Sequence, residues 1–179
     1  MEIRRNTIEI ENAQLRFKNF SGIEKQANVN GRQTIVNDRG NRNFNVILNP
    51  EISKIYWNGE LVTNPDFGQE LADLGFSVSV KPGREEGEAT EYRLPVHIGF
   101  GNVTPELYMI IAGKPKIRLD EESIGALDGA DIIQADITIN NGRPYQGRDG
   151  SDKVKAWCNV GYFTVAQSRF AAKYDFDEE

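Results

Sequence analysis

Apolar and polar residues take turns along most of this chain, and a period of two commits it to strands. Asn12 to Phe20 places Ala13, Leu15 and Phe17 on one face and Gln14, Arg16, Lys18 and Phe20 on the other. Arg42 to Leu48 gathers Phe44, Val46 and Leu48 opposite Asn43, Asn45 and Ile47. Glu91 to Phe100 sets Tyr92, Leu94, Val96, Ile98 and Phe100 against Arg93, Pro95, His97 and Gly99. Pro95 has no N–H to give a ladder, so this strand is expected at an edge or with a bulge. Leu107 to Ala112, Lys114 to Leu119 and Ile132 to Asn140 are three more strands, and Val154 to Val165 is the longest.

Two short helices are predicted between them. Asp66 is placed to cap Phe67 to Leu74, with Gly75 as terminator. Asp120 is placed to cap Glu121 to Leu127, ended by Gly129. Ser21 to Gly40, Asn49 to Pro65, Lys81 to Thr90 and Asn141 to Asp152 are rich in turn formers and are predicted as long loops. About seven strands and two short helices predict a mainly β fold, a small closed barrel or Greek key. An OB-fold has five core strands, a helix before the last two, and long loops joining its first two and last two strands. Here the second helix precedes Ile132 to Asn140 and Val154 to Val165. Loops 21–40 and 141–152 fall where that layout expects them. Residues 1–169 are then one OB-type domain with an insertion at 49–90, and 170–179 a tail.

Composition removes several functions. A single cysteine, Cys158, excludes an internal disulfide framework and suits a reducing cytoplasm. With His97 the only histidine, no His/Cys zinc site can form, and histidine-dependent triads lack their parts. No carboxylate pair has a catalytic spacing, so an enzyme is not expected, nor a cofactor or metal. The longest apolar run, Leu107 to Ala112, is far too short to cross a bilayer, and no signal peptide is expected at Met1 to Asn6. The net charge of −6 argues against a polyanionic partner only until its distribution is seen. Four of the last five residues, Asp175, Asp177, Glu178 and Glu179, are acids. Residues 1–45 carry eight basic side chains against five acids. The chain thus has a basic first third and an acidic tip, which speaks to partners.

The last strand is the most informative. Val154, Ala156, Cys158, Val160 and Tyr162 share one face, small and apolar like a core; Lys155, Trp157, Asn159 and Phe163 share the other. A cation beside a tryptophan suits single-stranded nucleic acid, where cations track phosphates and rings stack on bases. Equally, Trp157 packs under a loop and Lys155 is merely solvated. The segment Asn141 to Gly150 interleaves Arg143, Tyr145 and Arg148 with glycines, and Asn37 to Phe44 does the same with Arg39 and Arg42. Tyr56 and Trp57 precede Asn58-Gly59, a hairpin signal that offers them a role as anchors of a turn.

The runs Ile8 to Gly22 and Gly40 to Leu48 resemble the start of OB-fold single-stranded-DNA-binding proteins of tailed bacteriophages. The likeness continues in Lys81 to Gly87, Leu119 to Asp128 and Val154 to Trp157. It implies support of phage DNA replication or recombination in the cytoplasm of an infected bacterial cell. It also implies an acidic tail with an embedded aromatic, matched by Asp175, Phe176, Asp177, Glu178 and Glu179, that meets a phage or host polymerase, helicase or recombinase. On the residues' own reading, Arg16, Lys18, Arg42, Arg143, Arg148 and Lys155 contact phosphates, Phe20, Tyr145 and Trp157 stack on bases, and Arg39 and Lys153 belong to the same nucleic-acid-binding set. A protein-interaction module on the same fold and a structural virion protein are the competing readings.

Overall fold

A computed structural model describes residues 6–23, 25–36, 41–85, 87–101 and 104–166, with the backbone alone for 25–29 and 33–36. In chain order the strands begin with β1 (Thr7–Glu11), β2 (Leu15–Asn19), β3 (Lys25–Val29), β4 (Arg32–Val36) and β5 (Arg42–Ile47). Then come β6 (Lys54–Trp57), β7 (Glu60–Leu61), the helix α1 (Phe67–Asp73), β8 (Ser79–Lys81) and β9 (Glu91–Ile98). The hairpin β10 (Glu106–Ile110) and β11 (Ile117–Leu119) leads to a 3-10 helix, Ile124–Asp128. The chain closes with β12 (Ile132–Asn141), β13 (Tyr145–Gln146), β14 (Asp152–Lys153) and β15 (Ala156–Val165). The fold is mainly β, as the alternation predicts.

The main sheet is mixed and runs β2-β5-β9-β15-β12-β1-β6-β7. Its β9–β15 pairing is parallel, through Val96/Ala156 and His97/Trp157. The strands β1 and β2 are consecutive in sequence yet lie five places apart in this order. Between them the chain changes partner: Ala13 N–H donates to the Ala135 carbonyl at 2.7 Å, and the Gln14 carbonyl accepts Ile47 N–H at 3.0 Å. A single apolar core, including Ile8, Phe20, Phe44, Val96, Ile139 and Phe163, packs against this sheet. Burial of such side chains contributes roughly 1.5–3 kcal/mol each.

In β9 and most of β5 the alternation is read correctly: Phe44, Val46, Tyr92, Leu94, Val96 and Ile98 are all buried, but Ile47, expected on the opposite face, is buried too. The expectation of an edge or a bulge at Pro95 is corrected. Strand β9 is interior, with β5 along one side and β8 and β15 sharing the other. The Tyr92 carbonyl accepts Leu48 N–H, so by alternation Pro95 faces Asn45 at a non-hydrogen-bonded pair. Its missing donor points into the gap between β8, whose first residue Ser79 lies opposite Arg93, and β15, whose first residue Ala156 lies opposite Val96.

Bulges overturn two of the predicted faces. In β2 the register slips between Arg16 and Asn19, around Phe17 at φ 53°. Phe17 swings out to 66 % exposure and Phe20 turns wholly inward. In β15 the pairing with β12 slips at Thr138/Ile139, leaving Asn159 as the extra residue. Up to that point Val154, Ala156 and Cys158 face the core; beyond it Gly161, Phe163 and Val165 do, and Tyr162 looks out. Phe163 is therefore core and Tyr162 surface, the reverse of the simple period.

Among the described residues there is one α-helix, not two. Leu74 is the C-cap of α1, and Gly75 follows at φ 108°. Asp66 makes no cap bond; its carboxylate accepts the Tyr92 hydroxyl at 2.9 Å and ties the helix to β9. Gly68 makes that contact possible, since a Cβ there would lie 2.3 Å from the Tyr92 ring. The predicted second helix is a 3-10 turn starting at Ile124, because Asp120 closes a local turn on the N–H groups of Glu122 and Ser123. The predicted loop 21–40 contains the β3–β4 hairpin, turned on Asn30 (φ 52°) and Gly31 (φ 80°). The pair Asn58 (φ 50°) and Gly59 (φ 89°) likewise turns β6 into β7.

Candidate nucleic-acid interface

Strand alternation puts a row of side chains on the outer face, across the middle of the sheet. Cross-strand pairing runs Asn43 to His97, His97 to Trp157, Trp157 to Asn140 and Asn140 to Thr7. The row holds two rings, two amides and a hydroxyl, with no carboxylate. The rings of His97 and Trp157 lie 5.4 Å apart at 44°. Trp157 is half-buried because two glycines seat it. A Cβ at Gly99 would stand 2.9 Å from its six-membered ring, and one at Gly142 would stand 2.8 Å from Nε1. The amides are held too: Asn140 Nδ2 donates to the Thr7 hydroxyl at 2.8 Å, and Asn159 Nδ2 donates to Asn140 Oδ1. Burial, and then the charge of Lys155, pull the His97 pKa below its ordinary value, so the ring is neutral at pH 7.

Cations and further rings border the row. Lys155 is exposed, with its ammonium 5.9 Å from the ring of Tyr145, which is itself 42 % exposed. Arg143 and Arg148 are exposed around the small β13–β14 hairpin that carries Tyr145. On the other side Arg16 pairs across to Asn45, and its guanidinium stands out in solvent, bonded at 3.0 Å to the Leu15 carbonyl. Arg42 lies 5.4 Å from the ring of Phe100 and 3.7 Å from Glu121, with its buried Nε unpartnered. Phe17 is capped by Arg93 at 5.3 Å, and Arg93 is also paired with Glu91 at 2.6 Å. The surface is a shallow, ring-bearing strip with cations at both margins. Such a strip can hold flat, anionic polymers: rings accept π-faces, and cations accept phosphates.

The model of a family described as a putative phage ssDNA-binding domain matches residues 1–177. The chain belongs to the phage ssDNA-binding family. No curated protein matches it. The match takes in the segments on both margins of the strip, so family membership applies to the whole surface just described. Among the described residues, no helix is long and apolar enough to cross a membrane.

For this member of the phage ssDNA-binding family, the structure brings Arg16, Arg143, Tyr145, Arg148, Lys155 and Trp157 to the strip or its borders; Arg42, opposite the buried Ile98, falls by alternation on the other face of β5, against Phe100 and Glu121. Lys153 is half-buried opposite Tyr145, where its stem lies against Gly147. Two expected contacts are corrected. Phe20 cannot stack on a base, because it is wholly buried between Phe44 and Phe163, each 5.4 Å away. Lys18 turns its ammonium onto the carbonyls of Leu127 (3.2 Å) and Ala130 (2.9 Å). It clasps the end of the 3-10 helix, assisted by Asp128, which accepts the N–H groups of Phe20 (2.6 Å) and Ser21 (2.9 Å). Arg39 and the tail Asp175 to Glu179 lie outside the described residues. Sequence reasoning missed Phe17, which only the bulge exposes. Nor does the pattern pair His97 with Trp157, because the parallel β9–β15 contact joins segments far apart in the sequence.

Proposed function

We propose that this chain binds single-stranded DNA with little sequence preference, on the outer face of an OB-type barrel. The barrel reading is supported by the strand circuit: β1 and β2 act as one bent first strand, followed by β5, β9, β12 and β15. The parallel β9–β15 pair and the 3-10 helix before β12 agree with it. Residues 1–169 then form one domain, 49–90 an insertion carrying β6 to β8 and α1, and 170–179 an acidic tail that meets replication or recombination proteins. The setting is the cytoplasm of an infected bacterial cell, and the role is binding without catalysis.

One observation carries the reading: Trp157 is held by Gly99 and Gly142 on an uncharged strip whose margins are lysine and arginine. A tryptophan needed only for packing would have no reason to sit among outward cations. Phosphates would fall to Arg16, Arg143, Arg148 and Lys155, and bases to Trp157, Tyr145 and the newly found Phe17. Stacking tolerates sequence because every base has a π-face. The test is the salt dependence of binding to a mixed-sequence single strand. Replacing Arg143 and Arg148 with Ala is expected to lower the slope of log K against log salt by about 1.4, at ~0.7 per lost phosphate contact. An unchanged slope would remove the β13–β14 loop from the interface.

A further inference from the structure

A second cluster of rings and cations lies farther along β15, away from the strip. Tyr162, turned outward by the bulge at Asn159, pairs with Tyr108 on β10, and their rings stack at 5.3 Å and 12°. Across the β10–β11 hairpin, Arg118 pairs with Tyr108 and its guanidinium lies 5.5 Å from that ring. Lys116 sets its ammonium 4.5 Å from the Tyr108 ring and 5.9 Å from that of Tyr162. Both cations are exposed, both rings half-buried.

We infer that Tyr108, Tyr162, Lys116 and Arg118 form a second station for the same single strand, reached along the outer face of β15 from Trp157. The inference rests on the reading of Trp157 as a base platform. Trp157 and Tyr162 share the outward face of one strand, about 16 Å apart at roughly 3.3 Å per residue. Between them lie amides and a hydroxyl, Asn159, Asn140 and Thr138, which accept or donate hydrogen bonds without repelling phosphate. Carboxylates bound the path: Asp136 pairs directly with Tyr162, and exposed Glu106 pairs with Val160. Asp136, on the β12 side, pushes the phosphates toward the β10–β11 side, where Lys116 and Arg118 stand, and Glu106, at the start of β10, limits that side toward Val160. The pair of tyrosines then takes a base on the exposed part of its stack, and the two cations take the backbone.

The experiment compares a strand of about 5 nucleotides, enough for the strip alone, with one of about 16, near the upper span of a single barrel. The double variant Lys116→Ala with Arg118→Ala is expected to bind the short strand as the unmodified protein does. With the long strand its salt slope is expected to fall by about 1.4. Tyr162→Ala is expected to lose roughly tenfold in affinity for the long strand only, and Tyr162→Phe to keep it, since the ring and not the hydroxyl is used. A 5-iodouracil-substituted long strand is expected to crosslink to Tyr108 or Tyr162 in the unmodified protein, which keeps the test independent of how the variants fold. Equal slopes and affinities at both lengths with no such crosslink would overturn the second station. So would a double variant that changed only the sedimentation of the protein, giving this face to protein contacts. If the unmodified protein bound neither strand, the Trp157 platform would fall, and the second station with it.

Discussion

Strands β5 and β9 differ instructively from β2 and β15. The first pair runs in unbroken register, from Arg42/Ile98 to Ile47/Arg93; β9 follows the period of two throughout, and β5 departs from it only at its last residue, Ile47, which is buried. In the second pair β2 slips once against β5 and β15 slips twice against β12, and beyond the slips at Phe17 and Asn159 inside and outside exchange. All four belong to one sheet around one core, so the contrast does not come from composition. A bulge is a backbone event. It costs one unpaired residue, and no side-chain pattern marks it unless the residues beyond it are read in the other phase. The bulges also make the surface what it is: one exposes Phe17 beside Arg93, and the other turns Tyr162 outward beside Tyr108.

The largest effect that can break this contrast is on stability. Phe20→Ala removes a ring packed between Phe44 and Phe163 and is expected to cost about 3–5 kcal/mol. Phe17→Ala, three residues earlier, is expected to stay within about 0.5 kcal/mol. Urea unfolding of the two variants measures both, and the opposite ranking would place the β2 bulge wrongly.

Most of the frame was legible in the sequence. Glu91 to Phe100 gave β9 because its four buried residues alternate without interruption, and Asn58-Gly59 announced the β6–β7 turn. The β3–β4 hairpin went unseen although Asn30-Gly31 is the same signal, because the flanking strands lack apolar alternation. Position alone makes Asp66 and Asp120 helix caps, whereas Tyr92 and a local turn compete for their carboxylates. At the site, Trp157 and Lys155 were visible because they precede the bulge in β15. Phe20 and Lys18 were misjudged because the β2 slip and the 3-10 helix's carbonyls lie beyond any local pattern.

A smaller effect sharpens the contrast on the binding side. Trp157→Ala is expected to weaken single-strand binding by about 1–3 kcal/mol and to destabilise the fold less than Phe20→Ala does. Equal losses of stability in the two variants, with binding intact, would make Trp157 a core residue like Phe20.

The smallest effect is a pH dependence. The pKa of His97 is lowered in the folded chain, so the unfolded state takes up its proton first. The neutral ring's contribution to stability is complete above the ordinary value of ~6.5 and is lost as pH falls below it toward the folded pKa. Phosphates brought beside the ring oppose the effect of Lys155 and favour the protonated form. Single-strand affinity is therefore expected to rise modestly from about pH 7.5 to 6, and His97→Gln to flatten that rise. A rise that persists unchanged in His97→Gln would show that another group titrates.

The central claim is that Trp157 is an outward platform for bases, and its own fluorescence reports on that directly. Trp57 packs edge-on against Phe67, away from the strip, and is replaced by Phe so that a single indole remains. Titration with a mixed-sequence single strand is expected to quench Trp157 to saturation, with a midpoint that moves to higher strand concentration as salt rises. A strand that binds, by an independent measure such as anisotropy of a label on the DNA, while leaving the emission of Trp157 unchanged would contradict the account.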